Sequence, residues 1–308
     1  MTVISYHEWF ESGRTRQDLR NELASGSVRK VRRSMLTDVP ASAGPREQHL
    51  ARVRAAARFL GPRTYFSRFS AAAIHGLPLM NRRYEEVTVY RAGGGHGSVA
   101  PTIHARRAAL SPDDVTELDG LPVTSLARTV ADLIRELPFA EAVMVADAAL
   151  GRKVPRLEIG ELISDGRGCR LAATALAFAD GDAESPGESL SRVRMWEGGL
   201  VMPVLQHVVV DHDGTFLGRT DFYWEHCDTA GEFDGEAKYG ELAGGRSPTE
   251  VIMEEKRRQG RIGDVVNHLT RWTWPEIDNG VMVRRLAGRV GFRQGRRIVL
   301  PGEGHRWR

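Results

Sequence analysis

Cysteine is almost missing: Cys169 and Cys227 are the two that occur in 308 residues. They stand far apart in the chain and outside any CxxC or metal-type spacing, which argues against a disulfide framework and against a structural zinc site. Long apolar runs are missing too, none approaching the roughly 18 residues that a bilayer-crossing helix needs. The opening MTVISYHEWFESGR carries Glu8 and Glu11 where a secretory signal is apolar, so a cytoplasmic protein without a membrane partner is expected. Net charge is small, at +3. Disorder and fibrous classes do not fit, because 41% apolar and 27% charged residues are ordinary for packed cores, and the length suits about two domains.

What the small net charge hides is its distribution. Arg14, Arg16, Arg20, Arg29, Lys30, Arg32 and Arg33 crowd the stretch from Arg14 to Arg33, opposed there by Asp18 and Glu22. Such local clusters displace counterions from a phosphate backbone, so DNA is the expected partner. The pattern around them reads helix, turn, helix, hairpin. Val3, Ile4, Trp9 and Phe10 suggest an opening helix, Gly13 breaks it, and Thr15 caps a second helix that buries Leu19 and Leu23. Gly26 ends that helix, and Ser27 to Leu36 forms a strand with basic flanks, as the wing of a winged helix-turn-helix does. A solvated basic hairpin on another small domain is the plainer alternative.

The segment Asp38 to Pro45, rich in Pro, Ala, Ser and Gly, marks a boundary. Beyond it a helix is expected over Arg46 to Leu60, another at Ser70 to His75, a strand at Glu86 to Arg91, a glycine-rich turn at Gly93 to Gly97 and a strand ending near Ala105. Helices follow at Ser125 to Arg135 and Phe139 to Leu150. His75 and His104 have no ligand or nucleophile spacing around them, and the glycine run lacks the Lys-Ser/Thr pair of a phosphate loop. The succession of the Arg-rich helix and wing, AAAIHGLPL at 71–79, VTV at 87–89 and DGLPVTSLARTVAD at 119–132 resembles the AbiEi-type antitoxin family of type IV toxin-antitoxin systems. The resemblance covers about half the chain. It implies an N-terminal winged helix that binds DNA, and a following domain that takes part in DNA binding or in neutralising a nucleotidyltransferase toxin.

From Ser185 the pattern changes to one that suggests chemistry. SPGESLSRVRMW reads as a helix start with Glu188 in its first turn; a hairpin follows over Val204 to Val210 and Thr215 to Trp224, turning at Asp211-His212-Asp213-Gly214. A third strand spans about Ala230 to Asp234. Strand alternation sets Asp221 opposite in direction to Thr220 and Phe222, and puts Glu232 and Asp234 on one face with Phe233 on the other. If the second and third strands are neighbours, those three carboxylates converge, and a helix across that face adds Glu188. Such a cluster is self-repelling without a cation; its natural partner is Mg²⁺ or Mn²⁺. Asp211 and Asp213 read as turn formers. Arg192, Arg194, Lys256, Arg257 and Arg258 are candidates to track phosphates, although surface helices carry such residues anyway.

This second half resembles the PD-(D/E)XK nuclease superfamily, in particular very-short-patch-repair-like endonuclease domains, over about Glu184 to Asp278, with a closing helix at Ser247 to Gln259 and a strand at Leu269 to Glu276. The resemblance implies a metal-dependent site with Glu188, Asp221 and Glu232 as metal ligands. Asp234 stands where the superfamily often has lysine, and Lys238 is the nearest substitute; a second alignment takes Glu236-Ala237-Lys238 as the acid-x-lysine pair. Gln259-Gly260 replaces an acidic pair usual in relatives. The expected chain is therefore α/β (α+β overall): a winged helix at 1–38, an AbiEi-like α/β domain at 46–150, a linker or helical segment at 151–183, an endonuclease-like core at 184–280 and a basic tail at 281–308. Two functions are consistent with it: a Mg²⁺- or Mn²⁺-dependent DNA endonuclease, or a non-catalytic DNA-binding regulator or antitoxin.

Overall fold

A computed structural model describes residues 1–93, 103–235 and 260–293, together with Met253, Arg257 and Arg258. The chain is mixed α/β and divides into two compact units, Met1–Phe178 and Ala179–Arg308. Among the described residues no helix is long and apolar enough to cross a membrane.

The first unit begins with strand β1 (Val3–Ser5), helices α1 (Tyr6–Glu11) and α2 (Arg16–Ser25), and the hairpin β2 (Arg29–Arg32) and β3 (Met35–Thr37). Their sheet runs β1-β3-β2. Val3 and Ile4, expected to be helical, instead pair with Thr37 and Leu36 of β3. The helix waits for Ser5, whose hydroxyl accepts the Glu8 N–H while the Glu8 carboxylate accepts the Ser5 N–H. Thr15 and Asp18 form the same reciprocal cap on α2, and Gly26, at φ +78°, closes it in the left-handed region. The strand expected across Ser27 to Leu36 is broken into a hairpin at Ser34, which has φ +62°. Trp9, Leu19, Val28 and Leu36 make the small core beneath it.

The same unit continues with α3 (Pro45–Ala57), β4 (Thr64–Phe66), α4 (Arg68–His75), β5 (Val87–Arg91), β6 (Ile103–Arg107), β7 (Val115–Leu118), β8 (Leu121–Thr124), α5 (Leu126–Ile134) and α6 (Phe139–Gly151). The sheet order is β6-β5-β4-β8-β7, with Val53, Phe66, Val89 and Val123 in its core. Of the glycine-rich turn, residues 94–97 lie outside the described residues. Residues 151–183, expected as a linker or helical segment, are largely part of this unit: α7 (Arg156–Leu162) and α8 (Cys169–Phe178) bury Ile159, Ala172, Ala175 and Leu176. Short Pro-, Gly- and Arg-rich joints around those helices obscure the apolar spacing in the sequence.

The second unit holds α9 (Pro186–Glu197), β9 (Val204–Val210), β10 (Phe216–Trp224), β11 (Thr229–Phe233), β12 (His268–Trp272), α10 (Trp274–Asp278) and α11 (Val281–Val290). Strands β9, β10 and β11 form an antiparallel meander, and β12 joins parallel to β11, giving the order β12-β11-β10-β9. Phe233 and Trp272, paired across β11 and β12, face α9, where the Trp272 indole N–H donates to the Ser191 hydroxyl at 2.8 Å. On a second apolar cluster, Val209, Leu217 and Ala230 pack with Ile262 and Val266. Two glycines permit this packing. A Cβ on Gly187 would come within 2.0 Å of the Phe233 ring, and one on Gly231 within 2.6 Å of the Trp272 ring.

Two boundaries differ from expectation. The last strand stops at Trp272 because Thr273, capped reciprocally by Glu276, starts a short helix with Pro275 in its first turn. The basic tail expected from 281 onward opens as the helix α11, which buries Met282, Val283, Leu286 and Val290; its arginines lie on the other face. The rest of the tail from residue 294, and most of the expected closing helix Ser247 to Gln259, lie outside the described residues.

Candidate functional site

The pairing of β10 with β11 runs from Trp224↔Thr229 to Phe222↔Gly231. One step further, Asp221 stands opposite Glu232, and there the ladder gives way: the Phe233 N–H donates to Asp221 Oδ2 at 2.7 Å. An aspartate here supplies an acceptor that a continuing backbone pair otherwise provides. Glu232, 7% exposed, is paired by register with Arg271 of β12. Both its oxygens are engaged, one by Arg271 and one by Arg258 at 3.0 Å. Asp234 lies just past β11, half-buried, its N–H donating to the Trp272 carbonyl at 2.9 Å. Lys238 and Glu236 lie outside the described residues.

Glu188 comes from another element. It occupies the first turn of α9, whose cap, Ser185, accepts the Glu188 N–H at 3.2 Å. The Glu188 carboxylate accepts from the Ser185 hydroxyl at 2.7 Å, the Glu184 N–H at 3.0 Å and the Gln206 side-chain amide at 2.9 Å. Burial pushes this carboxyl up to about 7; the Ser185 hydroxyl works against the rise, and the charge of Asp221 adds to it. The expectation that α9 crosses the face bearing the three strand acids is not met. The helix covers the Phe233 and Trp272 side, and strand alternation turns Glu232 to the other, where the arginines hold it. Glu188 and Asp221 nevertheless lie in each other's field.

These residues can be tested against a hard divalent ion. Glu188 and Asp221 offer oxygen donors, and a desolvated carboxyl beside another acid has the deficit of positive charge that Mg²⁺ or Mn²⁺ corrects. That pair fits. Glu232 does not join them: the three carboxylates are not brought within 4.8 Å of one another, and both Glu232 oxygens are held by Arg258 and Arg271. Among the described residues, the three-residue cluster whose candidate ligand atoms all lie within 4.8 Å of one another is Asp211, His212 and Asp213. It is an exposed hairpin turn in which Asp211 accepts the N–H groups of Asp213 and Thr215 at 2.9 and 2.8 Å, as its turn-forming sequence implies.

Gln206 was not foreshadowed: its only mark in the sequence is an amide within the apolar strand VLQHVVV. Arg258 and Arg271 as partners of Glu232 were equally hidden, since they lie 26 and 39 residues further along the chain. Arg192 and Arg194, considered as phosphate contacts, pair with Asp180 at 3.9 Å and Glu197 at 2.7 Å. Lys256, considered with them, lies outside the described residues.

The raised Glu188 value has a consequence for stability without metal. Its folded value of about 7 exceeds the ordinary 4.5, so the folded state binds the proton more tightly than the unfolded chain. Stability therefore falls as pH rises from about 4.5 to about 7 and stays lower above. Glu188→Gln removes the charge and is expected to raise stability at pH 8 in EDTA by on the order of 2 kcal/mol, with no gain at pH 4. Thermal melts at the two pH values check this; an equal shift at both contradicts it.

In the first unit, Arg14, Arg16, Arg20, Lys30 and Arg33 are exposed on α2, its approach and the hairpin. Arg14 stacks over Trp9 at 4.2 Å, and Arg20 donates to the Gln17 side chain at 2.8 Å. The other two members of the cluster carry structural contacts. Arg29 donates to the Val39 carbonyl at 2.6 Å, and Arg32 lies 5.1 Å over the Phe59 ring. The basic cluster thus divides into five exposed cations and two half-buried ones.

No family model matches the chain. It is similar to two uncharacterized proteins of Mycobacterium tuberculosis, Rv2248 of strain H37Rv and MT2308 of strain CDC 1551, each 29% identical over 215 residues that cover 68% of this chain and 74% of the relative. Among solved structures, the Rv2827c protein of Mycobacterium tuberculosis aligns over 68% of this chain and 84% of its own at 16% identity, with a TM-score of 0.36.

Proposed function

We propose that the chain is a DNA-binding protein whose second unit is a Mg²⁺- or Mn²⁺-dependent endonuclease of the PD-(D/E)XK kind, hydrolysing phosphodiester bonds in DNA. The observation that carries this reading is the buried Glu188 beside Asp221, where the β10–β11 ladder breaks. The order of helix, three-stranded meander and parallel fourth strand supports it as well. Glu188 and Asp221 would hold the metal. The bound ion would acidify a water and offset charge on the phosphate. Asp221 also ties β10 to β11 through the Phe233 N–H. Arg258 and Arg271 carry positive charge to the edge of the site, where a scissile phosphate needs it. The test is incubation with supercoiled, linear, single-stranded and mismatched DNA in Mg²⁺, Mn²⁺ or EDTA: cleavage of at least one substrate that EDTA abolishes supports the reading, and cleavage of none overturns it.

For the first unit, the five exposed cations on a helix-and-hairpin frame support binding of the DNA backbone through the arrangement a winged helix uses. Replacing Arg16, Arg20 and Arg33 together by Ala is expected to weaken DNA binding and to flatten the slope of log affinity against log salt by roughly 0.9 for each phosphate that is no longer neutralised. Fluorescence anisotropy across a salt series measures that slope; an unchanged slope removes these residues from the interface.

One observation favours a second reading. The arginine pair on Glu232 supplies the countercharge a metal otherwise supplies, as in a scaffold that has given up catalysis. A non-catalytic DNA-binding regulator, or a type IV antitoxin with a nucleotidyltransferase toxin as partner, would then bind DNA equally well with or without Asp221.

A further inference from the structure

Strand β9 is irregular at one residue. The pairs Thr220↔His207 and Phe222↔Leu205 frame Gln206 and Asp221, which therefore stand opposite each other on neighbouring strands. Gln206 has φ +53°, in the left-handed region that a residue with a side chain enters at a cost, and it does so in mid-strand, where no turn requires it. Its side-chain amide donates to Glu188 Oε2 at 2.9 Å. The other groups that hold the Glu188 carboxylate, the Ser185 hydroxyl and the Glu184 N–H, belong to the approach of its own helix. Gln206 is the partner that comes from the sheet, from the position facing Asp221.

We propose that Gln206 is a positioning residue for the metal-binding pair: its strained backbone places the amide that fixes the Glu188 carboxylate relative to Asp221. The inference rests on the metal-dependent reading of this site. A side chain that merely tied helix to strand would not need a left-handed backbone, since an ordinary extended residue can send an amide across such a contact. Strain of this kind persists where surrounding structure imposes it, and here it coincides with two carboxylates that repel each other when both are ionised.

The test uses the full chain and Mn²⁺ alone, read by the loss of the free-ion electron paramagnetic resonance signal, together with thermal melting in EDTA. Gln206→Gly suits φ +53° without strain and removes the amide. It is expected to melt within about 3 °C of the natural protein, yet to bind Mn²⁺ at least tenfold more weakly. Gln206→Ala, which retains a side chain in the strained conformation, should show the same loss of affinity with a lower melting temperature. Asp221→Ala serves as the control that abolishes binding at this site. If the natural protein binds Mn²⁺ through Asp221 and both Gln206 variants bind equally well, the inference fails and the metal site stands. Affinity and melting temperature falling together in both variants would mark a purely structural tether and overturn it too. If the natural protein binds no Mn²⁺, the site reading fails and takes this inference with it.

Discussion

Asp221→Ala is expected to lower metal-dependent DNA cleavage at least about a thousandfold, a loss of roughly 4 kcal/mol of transition-state stabilisation. Two roles converge on this carboxylate. One oxygen accepts the Phe233 N–H, and its charge adds to the field that raises Glu188. Alanine removes both. Asp221→Asn separates them, because the amide oxygen still accepts the Phe233 N–H whereas the charge is gone. The asparagine variant should therefore melt close to the natural protein and remain as inactive as the alanine one. Cleavage retained by the asparagine variant would reduce Asp221 to a strand-end cap.

The second large effect concerns Gly187. Added to α9 at this position, a methyl group meets the Phe233 ring inside van der Waals contact, and Phe233 is itself held edge-on against Trp274 at a centroid distance of 5.0 Å. Gly187→Ala gains helix propensity, about 1 kcal/mol in an exposed helix, but must push the helix from the sheet, at an overpacking cost of about 1–3 kcal/mol. The balance is expected to be destabilising by up to about 2 kcal/mol, and the displaced helix start carries Glu188 with it. Gly187→Ala paired with Phe233→Leu, which clears the ring, should recover much of the stability. A double-mutant cycle by chemical denaturation measures this coupling; additive effects would show that the two residues do not meet.

Local chemistry was legible wherever a few neighbouring residues decide the outcome. The Thr15 cap, the Gly26 terminator, the proline-led start of α9 and the Asp-Gly hairpin all follow from residues within one turn of each other. Short or mixed signals were not. Val3 and Ile4 are two apolar residues next to a helix, and pairing with β3, more than thirty residues away, decides that they form a strand. In α11 the apolar spacing of Met282, Val283, Leu286 and Val290 is regular, but Arg284, Arg285 and Arg289 between them make the segment look like a tail. The candidate site divides in the same way. Asp221 and Glu232 are legible as facing acids because strand alternation and a hairpin turn suffice. The arginines on Glu232 and the amide on Glu188 depend on β12, residue 258 and a backbone distortion in β9, none of which local pattern specifies.

The most direct measurement is strand scission of supercoiled plasmid as Mg²⁺ or Mn²⁺ is titrated into the natural protein and into Asp221→Ala, prepared in parallel, with DNA binding recorded on the same samples. The account predicts metal-dependent nicking by the natural protein, none by the variant, and similar DNA affinity for both. Equal binding with no nicking by either protein at any metal concentration would contradict it and leave a non-catalytic DNA-binding regulator.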